Sequence, residues 1–222
     1  MYSILKITKN ANLHLSILGI VLLGTESRSI VRFYKYSGSG NDFIFFNDMA
    51  STLKLSAASI IELCHRRSGI GADGVVLISE SGEYDYKLRI FNSDGSEAEM
   101  CGNASRCSIH FAENILNISK SELVFETMNG VYSGSVVSKD EVRIKMTELF
   151  DEDSIDISDF GGLSTHFLNT GVPHAVIEVG SLAEVKFSQI APIIRADKRF
   201  GEAGTNVAVS YTHLTLPTIC SV

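Results

Sequence analysis

With 222 residues, 45% of them hydrophobic, the chain can bury a core large enough for one sizeable domain or two small ones. Acidic residues outnumber basic ones 26 to 19, and no basic run could follow a phosphate backbone, which argues against a nucleic-acid partner. The cysteines, Cys64, Cys101, Cys107 and Cys220, form neither a CxxC pair nor a His-Cys cluster at zinc spacing; they read as free thiols in a reducing compartment, the cytoplasm, with no metal site.

In chain order, residues 1–31 stand apart. Lys6 and Lys9 precede an apolar stretch from Leu13 to Leu23 that Gly24-Thr25-Glu26-Ser27 closes, a signal peptide in outline and too short for an ordinary transmembrane helix, so no membrane association is expected. The plainer reading is a start assigned too far upstream, because Val31-Arg32-Phe33-Tyr34 opens like a cytosolic enzyme. From Arg32 the pattern is short strands alternating with two helices. Arg32 to Tyr36 and Asp42 to Asn47 flank the turn Gly38-Ser39-Gly40-Asn41, which predicts a hairpin. Leu55 to Arg67, with Ile60, Ile61 and Cys64 at helical spacing and Ser56 placed to cap, predicts a helix that Gly69 to Gly74 breaks.

Val75 to Ser79 and Tyr86 to Phe91 read as strands, followed by the loop Asn92 to Glu97. A second helix from Gly102 or Asn103 to Glu113 puts Ala104, Cys107 and Phe111 on one side and Cys101 at the helix start. Leu123 to Thr127, Tyr132 to Val137 and Val142 to Met146 are predicted strands, with Asn129-Gly130 as the turn between the first two. After Glu148, the acidic stretch Asp151 to Asp159 and Gly161-Gly162 mark a domain boundary. Strands resume at Phe167-Leu168 and Ala175 to Val179, a helix is predicted over Leu182 to Ile194, and Thr205 to Val209 is another strand.

The segment Asn92-Ser93-Asp94-Gly95-Ser96-Glu97-Ala98-Glu99-Met100-Cys101-Gly102-Asn103 carries the most chemistry. A polar loop delivers a thiol onto a helix start, where unpaired backbone N–H groups and the helix dipole can stabilise a thiolate or a bound carboxylate. A buried cysteine acting as a small hydrophobe is the bland alternative. It suits Cys64 and Cys107, on apolar helix faces, better than Cys101 with its flanking glycine and asparagine.

This segment resembles the first catalytic-cysteine motif of diaminopimelate epimerases. The likeness extends to Tyr36-Ser37-Gly38-Ser39-Gly40-Asn41-Asp42-Phe43, to Gly69-Ile70-Gly71-Ala72-Asp73-Gly74, to Thr170-Gly171-Val172-Pro173-His174 and to Gly204-Thr205-Asn206-Val207. Five motifs in order are far more specific than any one of them; the glycine-rich string alone lacks the Lys-Ser or Lys-Thr of a P-loop. The resemblance implies an α+β fold of two similar domains, each a curved, mainly antiparallel sheet around a central helix. Residues 32–148 would form the first domain and 149–209 part of the second.

It also implies cofactor-independent conversion of L,L-diaminopimelate to the meso form by two cysteines on opposite faces of the α-carbon, with no pyridoxal phosphate or metal. Cys101 would be one of those acid/base groups. Asn41, Asn92, Gly102, Asn103 and Asn206 would bind substrate, with His174 as support, and there is room for a homodimer. For the asparagines the competing reading is turn chemistry; for His174 it is a solvent-facing loop. Val172 and Gly74 stand where relatives carry substrate-contacting side chains, so neither takes a side-chain role.

The chain departs from the family at its end. No Glu-Arg-Gly segment and no Ala-Cys-Gly-Thr-Gly-like loop follows Val209, and residues 210–222 read as an unrelated tail in which Cys220 lacks flanking glycines. The expectation is a chain with one of the two thiols, unable to interconvert the stereoisomers alone. The rivals are another cofactor-independent racemase or isomerase of the same fold, such as a proline racemase or phenazine-biosynthesis-type protein, and a non-catalytic amino-acid-binding remnant.

Overall fold

A computed structural model describes residues 2–6, 16–23, 29–138, 141–146, 163–169, 173–202 and 204–211. The chain divides into two units, the first ending at Lys145 and the second starting at Met146, close to the boundary expected at Glu148. The acidic stretch 151–159, Gly161-Gly162, Thr170-Gly171-Val172 and the tail beyond Tyr211 lie outside the described residues.

The first unit begins with β1 (Tyr2–Lys6) and β2 (Ser16–Leu23), so the segment read as an extension supplies two strands. Next comes the expected hairpin, β3 (Ser29–Gly38) and β4 (Asn41–Asp48), closed by the pair Gly38 and Asn41. Its two turn residues, Ser39 (φ 57°) and Gly40 (φ 84°), are both left-handed, the geometry whose twist matches the flanking strands. Helix α1 (Ala57–Cys64) is capped as expected, Ser59 N donating to Ser56 Oγ at 3.1 Å. It stops short of Arg67 because His65 turns extended and Gly69 folds onto the helix end. A Cβ on Gly69 would lie 2.0 Å from Glu62 O, so only glycine fits there.

The unit continues through β5 (Gly74–Ser79), β6 (Tyr86–Asn92), the short β7 (Glu97–Ala98), helix α2 (Gly102–Asn114), β8 (Leu123–Thr127), β9 (Gly130–Ser138) and β10 (Glu141–Lys145). The β8–β9 turn sits one residue earlier than predicted: Thr127 pairs with Gly130, leaving Met128 and Asn129 at the tip. The Thr127 hydroxyl sets this register, donating to Gly130 O and accepting from Asn129 N, each at 3.1 Å.

The strands form one mixed sheet in the order β1-β10-β9-β8-β6-β5-β4-β3-β2, with β7 paired to β6. Only β4–β5 and β6–β8 run parallel. Helix α2 packs against β3, β6, β9 and β10. In a flat sheet β3 and β10 would lie roughly 29 Å apart, whereas a helix is only about 10–12 Å across, so the sheet curls around α2. On the inner face Phe111 of α2 packs edge-on to Tyr34 (5.1 Å between centroids) and 5.4 Å from Phe45. On the outer face Ile44, Phe46, Val75 and Leu77 meet Ile60 and Leu63 of α1. Covered on both faces, β5 is buried along its whole length, as a strand in a parallel pair tends to be.

In the second unit, β11 (Ser164–Asn169), β12 (Pro173–Val179) and β13 (Asn206–Tyr211) form a sheet with β12 central, antiparallel to β11 and parallel to β13. Ala175, Ile177 and Val207 pack with Ala191 and Ile194 of helix α3 (Phe187–Arg195). The predicted helix from Leu182 is interrupted: a single 3-10 turn covers Leu182–Glu184, and the Glu184 carboxylate folds back to accept from Gly180 N at 3.3 Å. No helix among the described residues is long and apolar enough to cross a membrane.

Candidate active site

Cys101 is the N-cap of α2, extended at φ −144°, ψ 113°, with its carbonyl accepting from Ser105 N at 2.9 Å. The half-buried side chain therefore sits where the first backbone N–H groups of the helix have no carbonyl partner. Burial pushes its thiol above the ordinary value, while the N–H groups of Ala104 and Asn103 and the charge of Arg106 pull it back. The thiol is thus protonated at rest but has anion-stabilising groups in place. Cys107, six positions on, lies in the interior, and burial pushes its thiol up to about 12.

The β3–β4 turn lies against this helix start. A Cβ on Gly38 would meet Cys107 Sγ at 2.9 Å and Asn103 O at 3.1 Å, so the hairpin reaches α2 only with glycine there. Arg106 Nη2 donates to Asn103 Oδ1 and, at 3.4 Å, to Ser39 Oγ. The Asn103 carbonyl is committed to a donor-only partner, leaving its amide N–H groups to donate outward.

Asn41 has the opposite polarity. Its Nδ2 donates to Asp73 Oδ2 at 2.9 Å, leaving Oδ1 as the acceptor. Asp73 belongs to a closed ionic network joining the turn to the 69–74 loop: Asp42 N donates to Asp73 Oδ2 (3.0 Å), Asp73 N to Asp42 Oδ1 (3.2 Å), and Arg66 Nη2 bridges Asp42 (2.8 Å) and Asp73 (2.7 Å). Lys35 adds a 2.7 Å pair to Asp42. Although burial opposes it most strongly, hydrogen bonds from Arg66 and Lys35 hold the Asp42 carboxyl below the usual carboxylate range.

Asn92 closes β6 opposite Gly74, itself opposite Phe43, so Asn41 and Asn92 lie at the same end of the sheet. Asn92 Nδ2 donates to Ser96 Oγ at 3.0 Å, and Ser96 Oγ donates to Asp94 Oδ1 at 2.6 Å, which again leaves the Asn92 carbonyl oxygen outward. The structure thus brings Asn41, Asn92, Cys101, Gly102 and Asn103 to one end of the first unit, with acceptors suited to an ammonium and donors suited to a carboxylate. In the second unit His174 and Asn206 are register partners on β12 and β13. His174 is in a strand, partly buried, where the bland reading put a loop.

The sequence pattern of the family described as diaminopimelate epimerase matches residues 33–149. A curated diaminopimelate epimerase of Flavobacterium psychrophilum is 35% identical over 193 residues, spanning 86% of this chain and 72% of the relative. That of Aquifex aeolicus is 36% identical over 192 residues, spanning 80% and 67%. The chain belongs to the diaminopimelate epimerase family.

The fold agrees with that membership. A Bacillus anthracis phenazine biosynthesis protein of the PhzF family superposes with a TM-score of 0.57 at 15% identity, covering 83% of this chain and 68% of the other. A predicted epimerase from Pseudomonas aeruginosa gives 0.53 at 13%, covering 81% and 69%. At such identities the likeness is one of fold, an α+β architecture. Sequence reasoning missed two parts of the site. Arg106 lies three and four residues after Asn103 and Gly102, a spacing that puts it on their helix face and was available as a signal. The Asp42–Asp73 reciprocity joins residues far apart in the chain and had no local signal.

Proposed function

We propose that Cys101 is one of two acid/base thiols that invert an α-carbon of diaminopimelate, interconverting the L,L and meso forms in lysine and peptidoglycan-precursor biosynthesis. The observation that carries this reading is the half-buried thiol at the start of α2, flanked by backbone N–H groups and by amides of opposed polarity. As a thiolate, Cys101 Sγ takes the α-proton, and the electron pair stays on carbon; an opposing thiol then delivers a proton to the other face. One base alone would tend to return the proton to the side it came from.

Carbanion formation sets the energetic demand. A gap of ~10 pK units between carbon acid and thiol would cost on the order of 14 kcal/mol. The N-terminus of α2, with Gly102 and Asn103 in its first turn, is suited to hold the substrate α-carboxylate and so offset part of that cost in a closed site. Gly102 leaves the backbone open to such an approach. The Asn41 and Asn92 oxygens are suited to ammonium groups. Asn206 and His174, register partners on β12 and β13, are proposed as a substrate-binding and a supporting residue.

Beyond Cys101 this sequence has no cysteine flanked by glycines in a loop of the Ala-Cys-Gly type. We therefore propose that the 222-residue chain binds diaminopimelate without interconverting its stereoisomers. The test uses the full chain. Diaminopimelate should slow alkylation of Cys101 by iodoacetamide, read by peptide mass spectrometry, whereas proline and hydroxyproline should not. Protection by proline instead would move the assignment to another racemase of the same fold. Stereoisomer conversion, or solvent deuterium at the α-carbon with both epimers formed, would overturn the single-thiol reading.

A further inference from the structure

The guanidinium of Arg106 is placed where a cation is poorly tolerated. It folds back over the start of α2, with Nη1 3.5 Å from the position a Cβ on Gly102 would take. The positive end of the helix dipole lies there too, so a second positive charge is unfavourable unless an anion joins it. Among the described residues Arg106 has no carboxylate partner, and its buried Nε has no hydrogen-bond acceptor. Its two oxygen partners, Asn103 Oδ1 and Ser39 Oγ, are neutral. By contrast Arg66 and Arg89, at the surface of the same unit, both sit on carboxylates.

We infer that Arg106 is a positioning residue for Cys101 and Asn103: its guanidinium locks the Asn103 amide and the Ser39 turn over the helix start, and its unpaired charge supplies the field that stabilises an anion at that point. This rests on the proposed role of Cys101, but it concerns the thiol itself and holds whatever the substrate. In the free protein that anion is the Cys101 thiolate formed when the thiol, protonated at rest, gives up its proton. Desolvation lowers the guanidinium's own affinity for its proton, and Cys101 and Cys107 offset part of that. Among the described residues the titratable neighbours are these: Arg106 faces Cys101 and Cys107 on α2, Tyr36 of β3 faces Cys107, and His110 lies 3.3 Å from the Tyr36 hydroxyl.

The test is the pH profile of Cys101 alkylation in the full chain, measured peptide by peptide so that buried cysteines do not contribute. Arg106→Gln should move the midpoint up by about one pH unit and slow the reaction roughly tenfold at pH 7.5. Arg106→Lys keeps the charge and should hold the midpoint within about 0.3 unit. A lysine cannot span Asn103 and Ser39 as a fork, so diaminopimelate protection should weaken in that variant. Asn103→Asp changes little volume and gives the guanidinium a carboxylate; its midpoint should rise, which keeps the test open if Arg106→Gln does not fold. An unmoved midpoint in folded Arg106→Gln or Asn103→Asp, or an equal shift in Arg106→Lys and Arg106→Gln, would overturn the assignment. Alkylation needs no diaminopimelate, so failure of the substrate reading shows only in the protection arm.

Discussion

The first turn of α2 and its middle carry the same functional group in opposite settings. Both feel the Arg106 charge, but Cys101 also meets backbone N–H groups and has partial access to solvent, while Cys107 meets Gly38 and the apolar interior. Six residues along one helix therefore separate a thiol beside backbone N–H donors at the helix start from one enclosed in the interior. What differs is whether the surroundings stabilise an anion, and a cysteine's type or its burial alone does not report that.

The largest test breaks the interior half. Phe111→Ala removes a fully buried ring packed on Tyr34, Tyr36 and Phe45. It should cost about 3–5 kcal/mol in urea unfolding. If the two settings are independent, the pH midpoint of Cys101 alkylation in the folded variant stays near that of the parent. A direct measure of the contrast comes next: at pH 8 in the native protein, Cys101 should react ~100-fold or more faster than Cys107, read from their tryptic peptides. Comparable rates would erase the distinction.

Gly38 joins the two halves, since a Cβ there would press on both Cys107 Sγ and Asn103 O. Gly38→Ala should cost about 1–3 kcal/mol by overpacking, and it should perturb Cys101 labelling as well as stability. A smaller effect is expected from the network that holds Asn41. The folded-state pKa of Asp42 lies below its unfolded value near 4, so the native state binds fewer protons there. Its contribution is present above pH 4 and is lost as the pH falls below it. Asp42→Asn should therefore lower stability at pH 7 by about 1 kcal/mol, after discounting a partly exposed carboxylate. The two proteins should converge in an acid titration of the thermal midpoint below pH 3; parallel curves would dissociate the network from stability.

Local signals were legible in the sequence. The Ser39-Gly40 turn, the Ser56 cap and the helix start after Cys101 are set by residues within a few positions of one another, and the structure has each of them. Residues 16–23 show why apolar composition alone does not choose: a short run of Ile, Val and Leu suits a leader segment or a strand, and its pairing with residues 29–35 is a tertiary fact. The site divides in the same way. Cys101, Gly102 and Asn103 announce themselves by their order, whereas the polarity of each asparagine depends on Asp73, Ser96 and Arg106, whose side chains had to be placed first.

The separation of Cys101 and Cys107 along α2 also bears on oxidative damage. Six helical residues put their Cα atoms about 9 Å apart along the axis, and a disulfide bridges at most about 7 Å. Cys64 lies on the far face of the sheet with Ile60 and Leu63. A sulfenic acid formed on Cys101 thus has no resolving thiol among the described cysteines. Its rescue would depend on an external thiol arriving before a second oxidant equivalent carries the sulfur to the irreversible sulfinic acid.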